Sequence, residues 1–198
     1  MTRVLAFSDL HHRRGPAAAL VAASAEADLI IGAGDFCNMR TGLSQALDLL
    51  SDLKAPVVAV PGNAESAEEL RAAAPGHWHV LHGDGVKVAG LTLFGLGYGV
   101  PVTPFGAWSC DLDEESATSL LAPCTQADIL VTHAPPKGVA DVTSNGLSVG
   151  STAIHAAIAR VQPRLALCGH IHDSWGAEGM IGTARVVNLG PTVHWFEL

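Results

Sequence analysis

Short apolar runs alternate along the chain with longer stretches whose apolar residues recur at helical spacing. Arg3 to Ser8 predicts a strand, and Pro16 to Ala27 an alanine-rich helix with proline near its first turn. Leu29 to Ile31 predicts a second buried strand. Thr41 to Leu53 predicts an amphipathic helix, because Leu43, Ala46, Leu47, Leu49 and Leu50 fall mostly on one face. Val57 to Val60 reads as a third strand closed by Pro61-Gly62, and Ala64 to Ala73 as a helix. Between His77 and Leu96, apolar runs broken by Gly83-Asp84-Gly85 and Gly90 predict an antiparallel meander. Asp113 to Leu121 is then helical, Ile129 to Thr132 a strand, and Ser151 to Val161 a helix capped by Ser151 or Thr152. Strands at Leu165 to Cys168, Val186-Val187 and Val193 to Phe196 complete the pattern. Such β-α-β alternation implies right-handed crossovers and a largely parallel core, with a mixed or second sheet for the β-rich middle and end. No repeat or linker interrupts the 198 residues, so one α/β domain over 1–198 is expected.

Composition narrows the function classes. With 48% hydrophobic and 15% charged residues, disorder is excluded. Lys and Arg number 11 against 19 Asp and Glu, a formal charge of −8. No cationic excess exists to displace counterions from a long nucleic acid. Val88 to Trp108 carries no charge and is long enough to span a bilayer, but it holds five glycines and two prolines. It reads as a strand, Leu91 to Leu96, and an irregular loop, so no membrane segment is expected. The apolar run before Asp9 is too short for a secretory signal. Cys37, Cys110, Cys124 and Cys168 show no CxxC spacing, so free thiols in the cytoplasm are expected. The hydrophobic content permits a homo-oligomer interface without locating one.

The chain has ten histidines, nearly as many as its lysines and arginines together. Several fall, with Asp and Asn, just beyond the carboxyl ends of predicted strands. Asp9 and His11 follow the first strand, Asp35 the second and Asn63 the third; His133 follows Ile129 to Thr132, and His170 with His172 follows Leu165 to Cys168. Ligand sites of open α/β sheets lie in that crevice. Turn chemistry explains a lone Asp after glycine, but histidine has no special turn role. Two carboxylates, four imidazoles and an amide oxygen form an N/O donor set without thiolate, suited to a pair of divalent ions. Asp-x-His suits one ion; His-x-His can serve one ion or divide between two.

These residues stand in Ser8-Asp9-Leu10-His11, Gly34-Asp35-Phe36-Cys37-Asn38, Gly62-Asn63-Ala64-Glu65, Thr132-His133-Ala134-Pro135-Pro136 and Gly169-His170-Ile171-His172. In order and spacing they resemble the five blocks of the calcineurin-like metallophosphoesterases. Thr132 to Gly138, Gly169 to Gly176 and Val186 to Pro191 also resemble the small Icc-related phosphoesterases and the MPPED-type cyclic-nucleotide phosphodiesterases. The resemblance implies a four-layer α/β/β/α sandwich of metallophosphatase type. It implies that Asp9, His11 and His172 hold a first metal, that Asn63, His133 and His170 hold a second, and that Asp35 bridges them. Manganese is favoured, with Fe, Zn or Ni compatible with the same donors.

Held by these residues, such a pair would supply Lewis acidity and a hydroxide nucleophile for in-line attack on phosphorus. Two divalent ions against two carboxylates and one hydroxide leave about one net positive charge, which attracts a small phosphate ester to an acidic protein. A phosphodiester, cyclic nucleotides included, is the expected substrate; a phosphomonoester, or a non-catalytic metal-binding scaffold of the same fold, is the alternative. Many members of the resembled group read Gly-Asn-His in the third block, and that histidine protonates the leaving group or contacts the phosphate. Here the position is Ala64. His12 as proton donor and Arg13 as phosphate ligand are the nearby replacements, set against a plain solvated turn. Asn188, beyond the Val186-Val187 strand, is a further candidate to support the site.

Overall fold

Side chains alternate across a strand, and here that alternation sorts the apolar residues into three layers. The structure is a computed structural model that describes residues 1–198. One sheet contains β1 (Arg3–Phe7), β2 (Leu29–Gly32), β3 (Val57–Ala59) and β4 (Trp78–Val80), all parallel. The other contains β5 (Asp84–Val88), β6 (Leu91–Leu96), β7 (Ile129–Thr132), β8 (Leu165–Cys168), β9 (Glu178–Ile181) and β10 (Ala184–Asn188). The last strand, β11 (His194–Glu197), returns to pair antiparallel with β1. The orders are β11-β1-β2-β3-β4 and β5-β6-β7-β8-β10-β9; in the second, β6, β7, β8 and β10 run parallel between antiparallel edges.

Val4, Ala6, Ile31 and Val58 of the first sheet meet Leu93, Ile129, Val131 and Leu167 of the second in a layer between the sheets. The opposite parity of the first sheet, Leu5, Phe7, Ile30 and Val57, packs on α1 (Arg14–Ala23), α2 (Leu43–Asp48) and α3 (Ala67–Ala73) through Leu20, Leu47 and Leu70. Phe94, Leu130, Ala166 and Val186 likewise pack on α4 (Glu114–Leu121) and α5 (Thr152–Val161). The result is the expected α/β/β/α sandwich.

Some expectations need correction. The segment His77 to Leu96 is not one meander: β4 joins β3 in parallel in the first sheet, while β5 and β6 form a hairpin at the edge of the second. Trp78 packs in the helix-side layer with Phe36, and Leu81 is buried between the sheets. The chain therefore crosses from sheet to sheet at that point. The helix expected over Thr41 to Leu53 is shorter, because Leu50 and Leu53 bond to carbonyls three residues back in tight turns that bury both leucines. The helix expected from Ala64 begins at Ala67, where Ser66 and Glu69 form a reciprocal capping box (3.1 and 2.8 Å). Ser151, not Thr152, caps α5. β9 lies outside the expected elements, since Gly176, Gly179 and Gly182 interrupt its apolar pattern. No helix is long and apolar enough to cross a membrane; Val88 to Trp108 comprises the end of β5, then β6 and irregular loop.

Candidate metal centre

Because β1, β2 and β3 are parallel neighbours, the turns beyond them lie side by side, facing those beyond β7 and β8. The turns are hydrogen-bonded edge to edge: Asp9 N–H donates to Gly34 O (2.9 Å), His11 N–H to Asp35 O (3.1 Å) and Gly169 N–H to His133 O (2.9 Å). Asp9, His11, Asp35 and His170 all have left-handed backbones, with φ of 52°, 46°, 57° and 69°. Non-glycine residues hold that conformation only where the surroundings impose it, and such strain clusters at functional sites. Two glycines permit the close approach. A Cβ on Gly62 would overlap the Asp35 carboxylate, and one on Gly169 would overlap the side chains of Asp9 and Ser8.

Asp9, His11, Asp35 and His172 each offer one ligand atom, and these four atoms lie within 4.8 Å of one another. His11 Nε2 is 3.3 Å from His172 Nε2 and 3.5 Å from Asp35 Oδ2, and His172 Nε2 is 3.6 Å from Asp9 Oδ1. On the other side of Asp35, His133 Nε2 lies 3.4 Å from Asp35 Oδ1 and 3.1 Å from Asn63 Oδ1, which is 3.0 Å from His170 Nδ1. The seven expected ligands are thus brought together, with Asp35 between two sets.

Outer hydrogen bonds orient the donors. His11 Nδ1–H donates to Cys37 O (2.9 Å) and His133 Nδ1–H to Ala33 O (2.8 Å), turning both Nε2 atoms inward. Asn63 Nδ2 donates to Ser109 Oγ (3.0 Å), which donates to Asp111 Oδ1 (2.9 Å), so the Asn63 carbonyl oxygen faces the histidines. Asp9 Oδ2 accepts from Ser8 Oγ (2.5 Å) and Trp175 Nε1 (3.1 Å), leaving Oδ1 toward His172. The Trp175 ring lies 4.3 Å from that of His172.

Inward-facing lone pairs with few hydrogens between them require positive charge. Burial disfavours ionised Asp35, but the charge of His133 beside it, then His11 and His170, holds the carboxyl well below the usual range. Burial likewise opposes ionised Asp9, yet hydrogen bonding to His172 and the charge of His133 lower it. Burial would lower His133, but Asp35 raises it to about 9. Burial and the charge on His133 push His170 down to about 4. Protons alone therefore charge one of these two imidazoles and exclude charge from the other, whereas a divalent cation could use both lone pairs together. The donor set fits a metal.

Glu65 is a site residue that the sequence pattern does not single out. It is fully buried, and its carboxylate accepts the N–H groups of Gly62 (2.7 Å), Asp35 (2.8 Å), Cys37 (3.3 Å) and Phe36 (3.4 Å). It thereby ties the turn after β2 to the turn after β3. Burial and nearby Asp35 push its pKa up to about 7, against the backbone donors that favour the charged form. A signal is nonetheless present: Glu69 completes the Ser66 cap, which leaves Glu65 with no helical role. Asn188 donates to Ala140 O (3.0 Å) and to Ile171 O (3.3 Å), between His170 and His172.

His12 and Arg13 have other partners in this structure. His12 has a left-handed backbone (φ 59°), and its Nε2–H donates to Thr41 O (2.9 Å). The Arg13 guanidinium lies over the Trp175 ring, 5.2 Å from its centre, and lines a cavity with Pro16, Trp175 and Leu189. Neither borders the opening formed by His11, Asp35, Asn63, His170 and His172. Glu65→Gln sets an amide NH2 against backbone N–H donors and is expected to cost about 1–3 kcal/mol in urea unfolding at pH 8. An unchanged midpoint would contradict the tie.

The protein TT1561 of Thermus thermophilus superposes with a TM-score of 0.73 at 18% identity, over 99% of this chain and 98% of that one. A dimetal phosphatase from Danio rerio superposes with a TM-score of 0.64 at 14% identity, over 96% and 88%. At these identities the likeness is one of fold. A 50-residue stretch is 38% identical to UPF0046 protein T07D4.2 of Caenorhabditis elegans, covering 25% of this chain and 13% of that protein. The calcineurin-like phosphoesterase family model matches residues 2–174, a span that contains every residue of the cluster. The chain belongs to the calcineurin-like phosphoesterase family.

Proposed function

We propose that the protein is a binuclear metal-dependent phosphodiesterase acting on a small phosphate ester, cyclic nucleotides included. The observation that supports this reading most is the position of Asp35, whose Oδ2 faces His11 while Oδ1 faces His133. In this reading Asp9, His11 and His172 hold one ion, Asn63, His133 and His170 the other, and Asp35 contacts both. When bound, divalent ions supply Lewis acidity and bring a hydroxide nucleophile within reach of neutral pH. Manganese is our preferred ion, on donor chemistry alone.

The chain's own residues fix the donors. His11 and His133 keep their tautomers through Cys37 O and Ala33 O, and Asn63 keeps its orientation through Ser109. Ala64 contributes its N–H to Asp35 Oδ1 (2.8 Å) but has no side chain able to carry a proton to a leaving group. Neither His12 nor Arg13 lines the opening, so leaving-group protonation falls to solvent. The net charge of −8 argues for a compact ester over a polyanion. All four cysteines are unpaired, which suits a reducing compartment such as the cytoplasm.

The test is metal-free protein reconstituted with Mn, Ni, Zn or Mg and assayed on bis(4-nitrophenyl) phosphate, 4-nitrophenyl phosphate and cyclic AMP. Diester turnover with at least one metal, reduced at least about a hundredfold by Asp35→Ala, is expected. Absence of turnover with every metal would favour a scaffold, and full activity of Asp35→Ala would overturn the site. Monoester turnover in excess of diester turnover would replace the diester reading. Across aryl diesters, kcat/KM is expected to rise steeply as leaving-group pKa falls; a flat series with chemistry rate-limiting would contradict the consequence drawn from Ala64.

A further inference from the structure

Two loops rise beside the cluster, and both turn apolar side chains outward. Val102 (63% exposed) and Phe105 (50%) stand on residues 100–110, and Val142 (45%) and Leu147 (61%) on residues 137–150. Together they are half of the eight exposed large hydrophobic side chains in the protein. A cavity of about 470 Å³ lies between the loops, lined by Val100, Val102, Phe105, Val149, Ile171 and His170 among others. Phe105, His170 and Ile171 also line the opening above His11, Asp35 and Asn63, so the two spaces adjoin. No carboxylate lines the cavity; its one ammonium, Lys137 Nζ, is engaged with Ser148 O (2.5 Å).

The walls are held in place from behind. Asp111 accepts the N–H (2.9 Å) and hydroxyl (2.7 Å) of Thr103, within the first loop. Asp141, fully buried, accepts the N–H groups of Gly138 (3.0 Å) and Gly150 (2.8 Å) in the second. Phe105 is stacked on Trp108 at 5.6 Å, with its ring centre 6.4 Å from that of His170. Of the four exposed side chains Val102 and Phe105 line the cavity, and apolar surface set in a concavity favours a small-molecule site; the volume lies within the roughly 300–1,000 Å³ usual for one.

We propose that this cavity receives the organic arm of the phosphate ester, and that the arm is an uncharged, apolar, ring-bearing group. The assignment rests on the phosphoesterase reading. Phosphate binds at the metal ligands, the arm lies across Ile171, and Phe105 gives it a ring to stack on.

1-Naphthol, which has no phosphate, is the probe. It is titrated into the metal-loaded protein by calorimetry and tested as an inhibitor of bis(4-nitrophenyl) phosphate hydrolysis. Competitive inhibition is expected, weakened about tenfold by Phe105→Ala, a loss of roughly one aromatic contact. Val102→Asp, at a solvent-facing position, should weaken it at least as much. Inhibition by inorganic phosphate should change by less than about twofold in Phe105→Ala, since phosphate lacks the arm. Turnover without naphthol binding, or naphthol binding unchanged in both variants, would overturn the subsite alone. Phe105-dependent dimerisation at assay concentration would assign the apolar face to a second copy and overturn it too. Absence of turnover with every metal would overturn the phosphoesterase reading and, with it, this assignment.

Discussion

Three carboxylates, those of Asp9, Asp35 and Glu65, are buried within one small region between the turns. Buried negative charge is tolerated only with hydrogen bonds and compensating positive charge around it. Glu65 obtains backbone N–H groups, and Asp9 obtains Ser8, Trp175 and the N–H of His170 (3.1 Å). Asp35 has the N–H of Ala64 on one oxygen, and both of its oxygens face imidazole nitrogens. The need for cations at this point explains why so many histidines of an acidic protein gather there.

Meeting that need requires several backbones to approach within contact of one another. Parallel order in the first sheet brings the turns after β1, β2 and β3 together, and apolar packing between the sheets sets those after β7 and β8 against them. Gly62 and Gly169 remove the Cβ atoms that would block the approach. The left-handed conformations of Asp9, Asp35 and His170 aim the side chains inward, and the sandwich supplies the packing that holds them so.

What is legible in advance follows from local rules. β1, β2 and β7 are buried on both faces and therefore appear as uninterrupted apolar runs, and ligands just after such runs are easily placed at strand ends. The division of residues 77–96 between two sheets is illegible, because it depends on which layer accepts Trp78 and which accepts Leu81. His12 and Arg13 adjoin His11 in sequence, yet Thr41 O and the Trp175 face hold them instead. Glu65 directly precedes the capping Ser66, and only the folded turns bring four N–H groups to its carboxylate.

Asp35 is a single anion set between two groups of donors, and in the proposed reading each group holds one ion. Equilibrium dialysis of the metal-free protein against manganese, with metal counted per chain at saturation, tests this most directly. Two ions per chain are predicted, falling to at most one in His133→Ala, which removes a donor from only one set. Saturation of the unaltered protein at one ion per chain, or none, would contradict it.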